Sequence, residues 1–214
     1  WVKAECETER FARQVDGNFP RARQEVLFFE AALRYRKEGN AAKGLDRMLE
    51  AFCCTVPDFD GRDLKWWVFQ REEIMIAANV GSLYCSLGKY QKAKEWLAAV
   101  IFSVEQQSRR TGICSYGYDI AIESYSSCLG ALRRFAQAVK VVENAVAKEL
   151  ALCRINSIQD LFYHIAWNAY EAAVENPETY GHFWKKWRKA FWLSQSMAEF
   201  MHDSHLKVFL ERRA

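Results

Sequence analysis

I-A-A-N-V-G-S-L-Y-C-S-L-G-K-Y-Q-K-A-K-E-W-L-A-A-V, residues 76–100, decides how this chain folds. Within it Gly81 is followed by Tyr84, Gly88, Tyr90, Ala93, Leu97 and Val100. The apolar spacing is three and four, the period of a helix and not of a strand. Gly88 stands where a first helix must stop, because glycine enters the left-handed conformation of a C-cap without steric cost. Gly81 and Ala93 lie twelve residues apart, one on each of two consecutive helices. Small residues there let the backbones cross closely enough for ridges to enter grooves, and bulk would force them apart. Tyr90 opens the second helix, as Phe135 does in a later copy, and both are expected to plug the seam between neighbours.

The same pattern recurs at identical offsets. An earlier copy reads Ala32, Tyr35, Gly39, Ala41, Gly44, Met48 and Ala51; a later one reads Ser126, Leu129, Arg133, Phe135, Ala138, Val142 and Ala145. A degenerate fourth copy has Ala166 on one helix and Trp187, Ala190, Ser194 and Met197 on the next, its connection stretched around Asn176-Pro177. The second small residues, Gly44, Ala93, Ala138 and Ala190, are 49, 45 and 52 apart. That exceeds the period of about 34 usual for tetratricopeptide helix pairs. Longer helices and linkers such as 55–65, with the turn-forming Pro57, Asp58, Asp60 and Gly61, account for the surplus. The expected fold is all-α, a superhelix of tetratricopeptide-like antiparallel helix pairs in one domain, 1–214. Pairs are placed near 21–54, 69–109, 116–152 and 157–199, with terminal helices near 2–15 and 203–212.

A chain of 214 residues with 50% hydrophobic and 14% aromatic content buries a core without metal or disulfide. Its three prolines, Pro20, Pro57 and Pro177, all fall between helical segments. A net charge of +3, from 30 basic and 27 acidic residues, gives the whole domain no nucleic-acid signature. The seven cysteines include no C-x-x-C and mostly occupy apolar positions, which fits buried free thiols in a reducing cytoplasm. No signal peptide is recognisable, and the longest uncharged run, 74–88, is too short to span a membrane. Opening on Trp1 without methionine, the chain reads as a piece of a longer protein.

F-F-E-A-A-L-R-Y from Phe28, T-V-P-D-F-D from Thr55, residues 76–93, L-G-A-L-R-R-F-A-Q-A-V from Leu129 and the terminal F-L-E-R-R together carry a resemblance. The chain resembles the C-terminal tetratricopeptide-like region of bacterial XRE-type helix-turn-helix transcriptional regulators, akin to the Rgg and PlcR peptide-pheromone sensors. The resemblance implies a right-handed superhelix, a homodimer, and a short peptide or small ligand bound on the concave face. It implies too that DNA is met only through an N-terminal domain that this chain lacks.

In such arrays the first helix of each pair lines the inner surface. The stripe left over from the seam holds Phe29, Leu33 and Arg36, then Met75, Asn79, Ser82 and Ser86, then Glu123 and Ser127, and finally Tyr163, His164, Trp167 and Tyr170. Asn79 is singled out because one carboxamide can both donate to and accept from a peptide backbone. Trp167 and Tyr170 add apolar area at little entropic cost. The ordinary alternative makes Asn79 a solvated residue and the aromatics core. Trp184, Phe191, Trp192, Phe200 and Phe209 exceed what a terminal repeat needs, and are the candidates for pairing two copies.

His202 and His205 have chelating spacing but no completing ligands, and are read as a surface pair. Lys185, Lys186, Arg188 and Lys189, interleaved with Trp184 and Trp187, suggest stacking platforms for nucleic acid. The preferred reading is an amphipathic helix whose tryptophans face the core while its cations face water. Arg109-Arg110 and Arg133-Arg134 sit near helix C-termini, where positive charge complements the dipole. No hydrolase elbow, Walker loop, zincin or dinucleotide motif is present, so no enzyme activity, cofactor or metal is expected.

Overall fold

In a computed structural model the described residues are 2–15, 19–56, 64, 67–111, 117–155, 157–203, 206, 208 and 210, and they are all-helical, with no strand among them. The helices are α1 (Val2–Gln14), α2 (Pro20–Glu38), α3 (Ala41–Cys53), α4 (Arg71–Ser86), α5 (Tyr90–Thr111), α6 (Tyr118–Ala131), α7 (Phe135–Ala151), α8 (Ile158–Glu175), α9 (Pro177–Tyr180) and α10 (Phe183–Phe200). The second helix of the expected 157–199 pair is divided between α9 and α10, which are separated by Gly181 and His182. Most of T-V-P-D-F-D, Cys114, His205 and Phe209 lie outside the described residues.

Four of the starts are set by local chemistry. Pro20 and Pro177 occupy the first turns of α2 and α9, where a missing N–H costs nothing. Asn40 and Asn176 accept from the Lys43 and Thr179 N–H groups, each at 3.0 Å. The Gln70 N–H donates to Glu73 Oε2 at 2.9 Å in a reciprocal capping box at the head of α4.

The stops carry the repeat. Gly39, Gly88 and Arg133, at the same offset in three copies, have φ of 64°, 70° and 57°. After α4 the Gly88 and Lys89 N–H groups donate to the carbonyls of Cys85 and Tyr84, both at 2.9 Å. After α6 the Arg133 and Arg134 N–H groups bond Gly130 and Leu129 at 2.9 and 2.8 Å. These are the paired bonds of a Schellman ending. Cys153 after α7 and His202 after α10 repeat it at φ 53° and 54°.

Contacts divide the chain into two compact units, residues 1–124 and 125–214, the cut falling within α6. In the first, α1 packs on α2, α2 on α3, α3 on α4 and α4 on α5. Its core joins Phe52 to Phe69 and Trp96, ring centroids 6.1 and 6.0 Å apart, while Trp96 Nε1 donates to the Ala77 carbonyl at 2.8 Å. In the second, α8 packs on both α7 and α10. Leu129, Ala138, Val142, Leu161, Ala169 and Ser194 are sealed there.

The small-residue seam exists, with a shifted register. A β-carbon placed on Gly81 would enter the envelope of Leu97 Cγ and Cδ2 on α5. The obstacle is thus one turn beyond the expected Ala93, which is itself fully buried. A β-carbon on Gly44 would lie 3.1 Å from Tyr35 Cβ and 3.4 Å from the Ala31 carbonyl, so Ala31, and not Ala32, faces the crossing.

Two expectations are corrected. Tyr90, 37% exposed, does not seal its seam, whereas Phe135 lies 3.8 Å from the place of a β-carbon on Gly130 of the preceding helix and covers it. Of the described cysteines only Cys128 is buried; Cys6, Cys53 and Cys153 are exposed, and Cys54 and Cys85 are half-buried. Cys53, Cys54 and Cys153 cluster at helix ends, where the apolar stripe has run out.

Candidate functional site

Side by side, α2 and α4 leave a cavity of about 310 Å³ near their N-terminal ends. That is at the lower end of the size range of ligand pockets. Phe28, Phe29, Met75 and Ile76 give it apolar walls, Phe28 and Phe29 meeting edge-to-face with centroids 5.6 Å apart. Glu25, Glu72 and Arg71 stand among the lining residues as exposed charges. Gln24 is committed to structure, its Nε2 donating to the Ala51 carbonyl at 3.1 Å and Thr55 Oγ1 at 2.7 Å. The segment 71–76 presents Glu72, Met75 and Ile76 to this space because the helix returns to one face every three or four residues.

Phe29 and Met75 belong to the inner stripe expected from sequence. Glu25, Phe28, Arg71, Glu72 and Ile76 were not singled out; the signal for them was the aromatic pair at the head of one first helix facing the acidic head of the next.

The other expected residues divide between the units. On α4, Asn79 Nδ2 donates to the Met75 carbonyl of its own helix at 2.8 Å, which uses one of its two N–H groups. Ser86 Oγ lies 3.2 Å from the Ser82 carbonyl, to which it donates, and 2.9 Å from the Tyr35 hydroxyl. Ser86 therefore helps to join α2 and α4. Glu123 is half-buried on α6.

In the second unit Ser127 is exposed, one residue from the buried Ser126, whose Oγ accepts from Asn168 Nδ2 at 3.0 Å. That α6–α8 bond was not foreseen, because only the packing shows which amide turns inward. Tyr163 packs against a small cluster of Ala198, Leu206 and Leu210, which Phe191 also covers. His164 meets Tyr163 edge-to-face at 5.7 Å, and burial pushes its pKa down to about 4, so the ring is neutral near pH 7.

Trp167 and Tyr170 lie 41% and 37% exposed, their rings nearly parallel at 27° with centroids 6.5 Å apart. Tyr170 touches Trp184 at 5.6 Å and Trp187 at 5.8 Å, and Trp187 continues to Phe191 at 6.4 Å. α10 is amphipathic as expected, with Trp184 and Trp187 half-buried against Tyr170 and Lys185, Arg188 and Lys189 exposed. Its buried positions are Phe183, Ala190, Ser194 and Ala198, so Trp184 and Trp187 flank the core and do not fill it. Of the pairing candidates, Trp184 and Phe191 are half-buried within the chain, while Trp192 and Phe200 stand 64% and 71% exposed.

Burial raises the Cys53 and Cys54 thiols above their ordinary value, the opposite of activation. Among the described residues no group of three or more His, Cys, Asp or Glu could hold a metal, and no helix is long and apolar enough to cross a membrane. No family model, curated protein or solved structure matches this chain.

Proposed function

We propose that the chain is a binding module without catalytic activity, a tetratricopeptide-like superhelix that holds a short segment of another polypeptide in the α2–α4 groove. The supporting observation is that groove: an apolar floor of Phe28, Phe29, Met75 and Ile76 beside exposed Glu25 and Glu72, which outnumber the rim's cation Arg71. Such a surface takes an apolar side chain flanked by Lys or Arg. The resemblance to XRE-type regulators gives this reading its context, with the segment acting as an intracellular signal that biases the superhelix between two curvatures. That coupling requires unequal affinity for the two states.

Screening purified protein against a display library of short linear peptides tests the reading. Binders sharing an apolar–basic pattern are expected, with affinity falling about tenfold or more on Phe29→Ala, the scale of a central aromatic contact. A library yielding no binder that depends on Phe29 would refute it.

A second reading, a scaffold that pairs two copies, is favoured by exposed Trp192 and Phe200 on α10. Sedimentation of a strict monomer across micromolar concentrations removes it.

A further inference from the structure

Hydrogen bonds at both ends hold α2 and α4 side by side and parallel. At the head, Arg21 Nη2 donates to Gln70 Oε1 at 2.5 Å, on the residue that caps α4. About 21 Å further along α2, the Tyr35 hydroxyl meets Ser86 Oγ at 2.9 Å. The cavity lies between these two ties, wholly within residues 1–124.

Its lining is ordered along the shared axis. On α2, Gln24 and Glu25 precede Phe28 and Phe29 by four residues; on α4, Arg71 and Glu72 precede Met75 and Ile76 by the same four. Because the helices are parallel, the polar residues of both stand together at the head, and the apolar residues of both stand together about 6 Å beyond. Among the lining residues Glu25 and Glu72 outnumber Arg71, so the head favours a cation. Gln24 adds an acceptor: both of its N–H groups are spent on Ala51 and Thr55, so Oε1 is the polar atom that it retains for the cavity.

This order selects the spacing of a guest's own groups. In an extended segment adjacent side chains point to opposite faces, while those two positions apart share a face, about 6.6 Å from each other. A cation and an apolar side chain at that spacing reach the acidic head and the apolar floor together; sequence neighbours do not. A helical guest would place them four positions apart, but one turn of a helix about 10 Å across occupies about 400 Å³. That is more than the cavity of about 310 Å³ holds.

Resting on the groove's role as a peptide site, we infer that its guest is an extended segment in which Lys or Arg stands two positions from a large apolar residue. The cation sits at Glu25 and Glu72, and the apolar side chain lies on Phe28 and Phe29.

Acetylated and amidated nonapeptides of Gly and Ser, each with one Lys and one Leu at a spacing of one, two or four, test it when titrated calorimetrically against the full chain. Both sequence orders are measured. Spacing two is expected to bind about fivefold tighter than one or four in at least one order, the scale of a partly exposed charge pair. Glu25→Gln with Glu72→Gln should erase that preference while binding still depends on Phe29. Should the doubly substituted protein fail to fold by circular dichroism, the ranking in the unaltered protein decides. Equal affinity at all three spacings, with binding still lost in Phe29→Ala, overturns the spacing and leaves the groove standing. A best spacing of one or of four overturns it too. Binding by none of these peptides, or binding indifferent to Phe29, removes both the spacing and the groove.

Discussion

Gly81→Ala isolates the contact on which the α4–α5 pair rests. A β-carbon at position 81 overlaps Leu97 Cγ and Cδ2, and Leu97 Cδ1 is 3.1 Å away. Leu97 is fully buried, so it yields only by leaving its rotamer or by displacing α5. Such overpacking costs about 1–3 kcal/mol. Alanine's better helix propensity returns about 1 kcal/mol, leaving a net loss of about 0–2 kcal/mol. Leu97→Ala alone costs about 2–5 kcal/mol, through lost burial and the cavity it leaves. In that background the methyl group at 81 enters vacated space, so Gly81→Ala becomes neutral or stabilising. Urea unfolding of the four proteins should show a coupling of about 1–3 kcal/mol, carried by midpoints at constant slope. Changes that add to within about 0.5 kcal/mol would refute the contact, and with it the close crossing of these helices.

Two further outcomes follow from other parts of the chain. Gly88→Ala, at φ 70°, should lower stability by about 1 kcal/mol, while Cys153→Gly, at φ 53°, should raise it by about 0.5 kcal/mol after the looser unfolded chain is counted; thermal melts with the same sign for both would contradict the left-handed endings. Because the His164 pKa falls from 6.5 to about 4 on folding, the unfolded chain takes up a proton first, so stability holds above pH 6.5 and declines toward pH 4. The full loss is about 3 kcal/mol, and His164→Gln should flatten that part of the stability–pH curve; a parental protein whose His164-dependent stability does not change across this range would refute the shift.

Helix positions were legible because they rest on local rules. Pro20 and Pro177 start helices, Gly39 and Gly88 end them, and the spacing of apolar residues fills the intervals. The buried set was legible for the same reason: Ala93, Leu97, Val100, Ala138, Val142 and Ala145 are all sealed. Orientation about a helix axis was legible only to within about one residue, or 100°, which is why Ala31 and not Ala32 meets Gly44. The candidate site suffered most from that uncertainty. Asn79 and Trp167 stand on comparable stripes of first helices, yet the amide of one closes on its own backbone and the ring of the other opens to water. Periodicity cannot tell these outcomes apart, since each is settled by what the neighbouring helix leaves uncovered.

Arg133 shows where the repeat keeps its information. Its φ of 57° matches that of the glycines in the two earlier copies, although a side chain there costs about 1 kcal/mol or more. Its exposed ion pair with Glu175, 2.6 Å long, returns only a fraction of that. The turn is therefore imposed from both sides, by Leu129 before it and Ala138 after it, each with no accessible surface. A search keyed on the terminating glycine would lose the third copy; one keyed on the small buried residue of the second helix finds it. Residue identity at the turn is thus a consequence of helix packing, and the packing is specified where the helices touch.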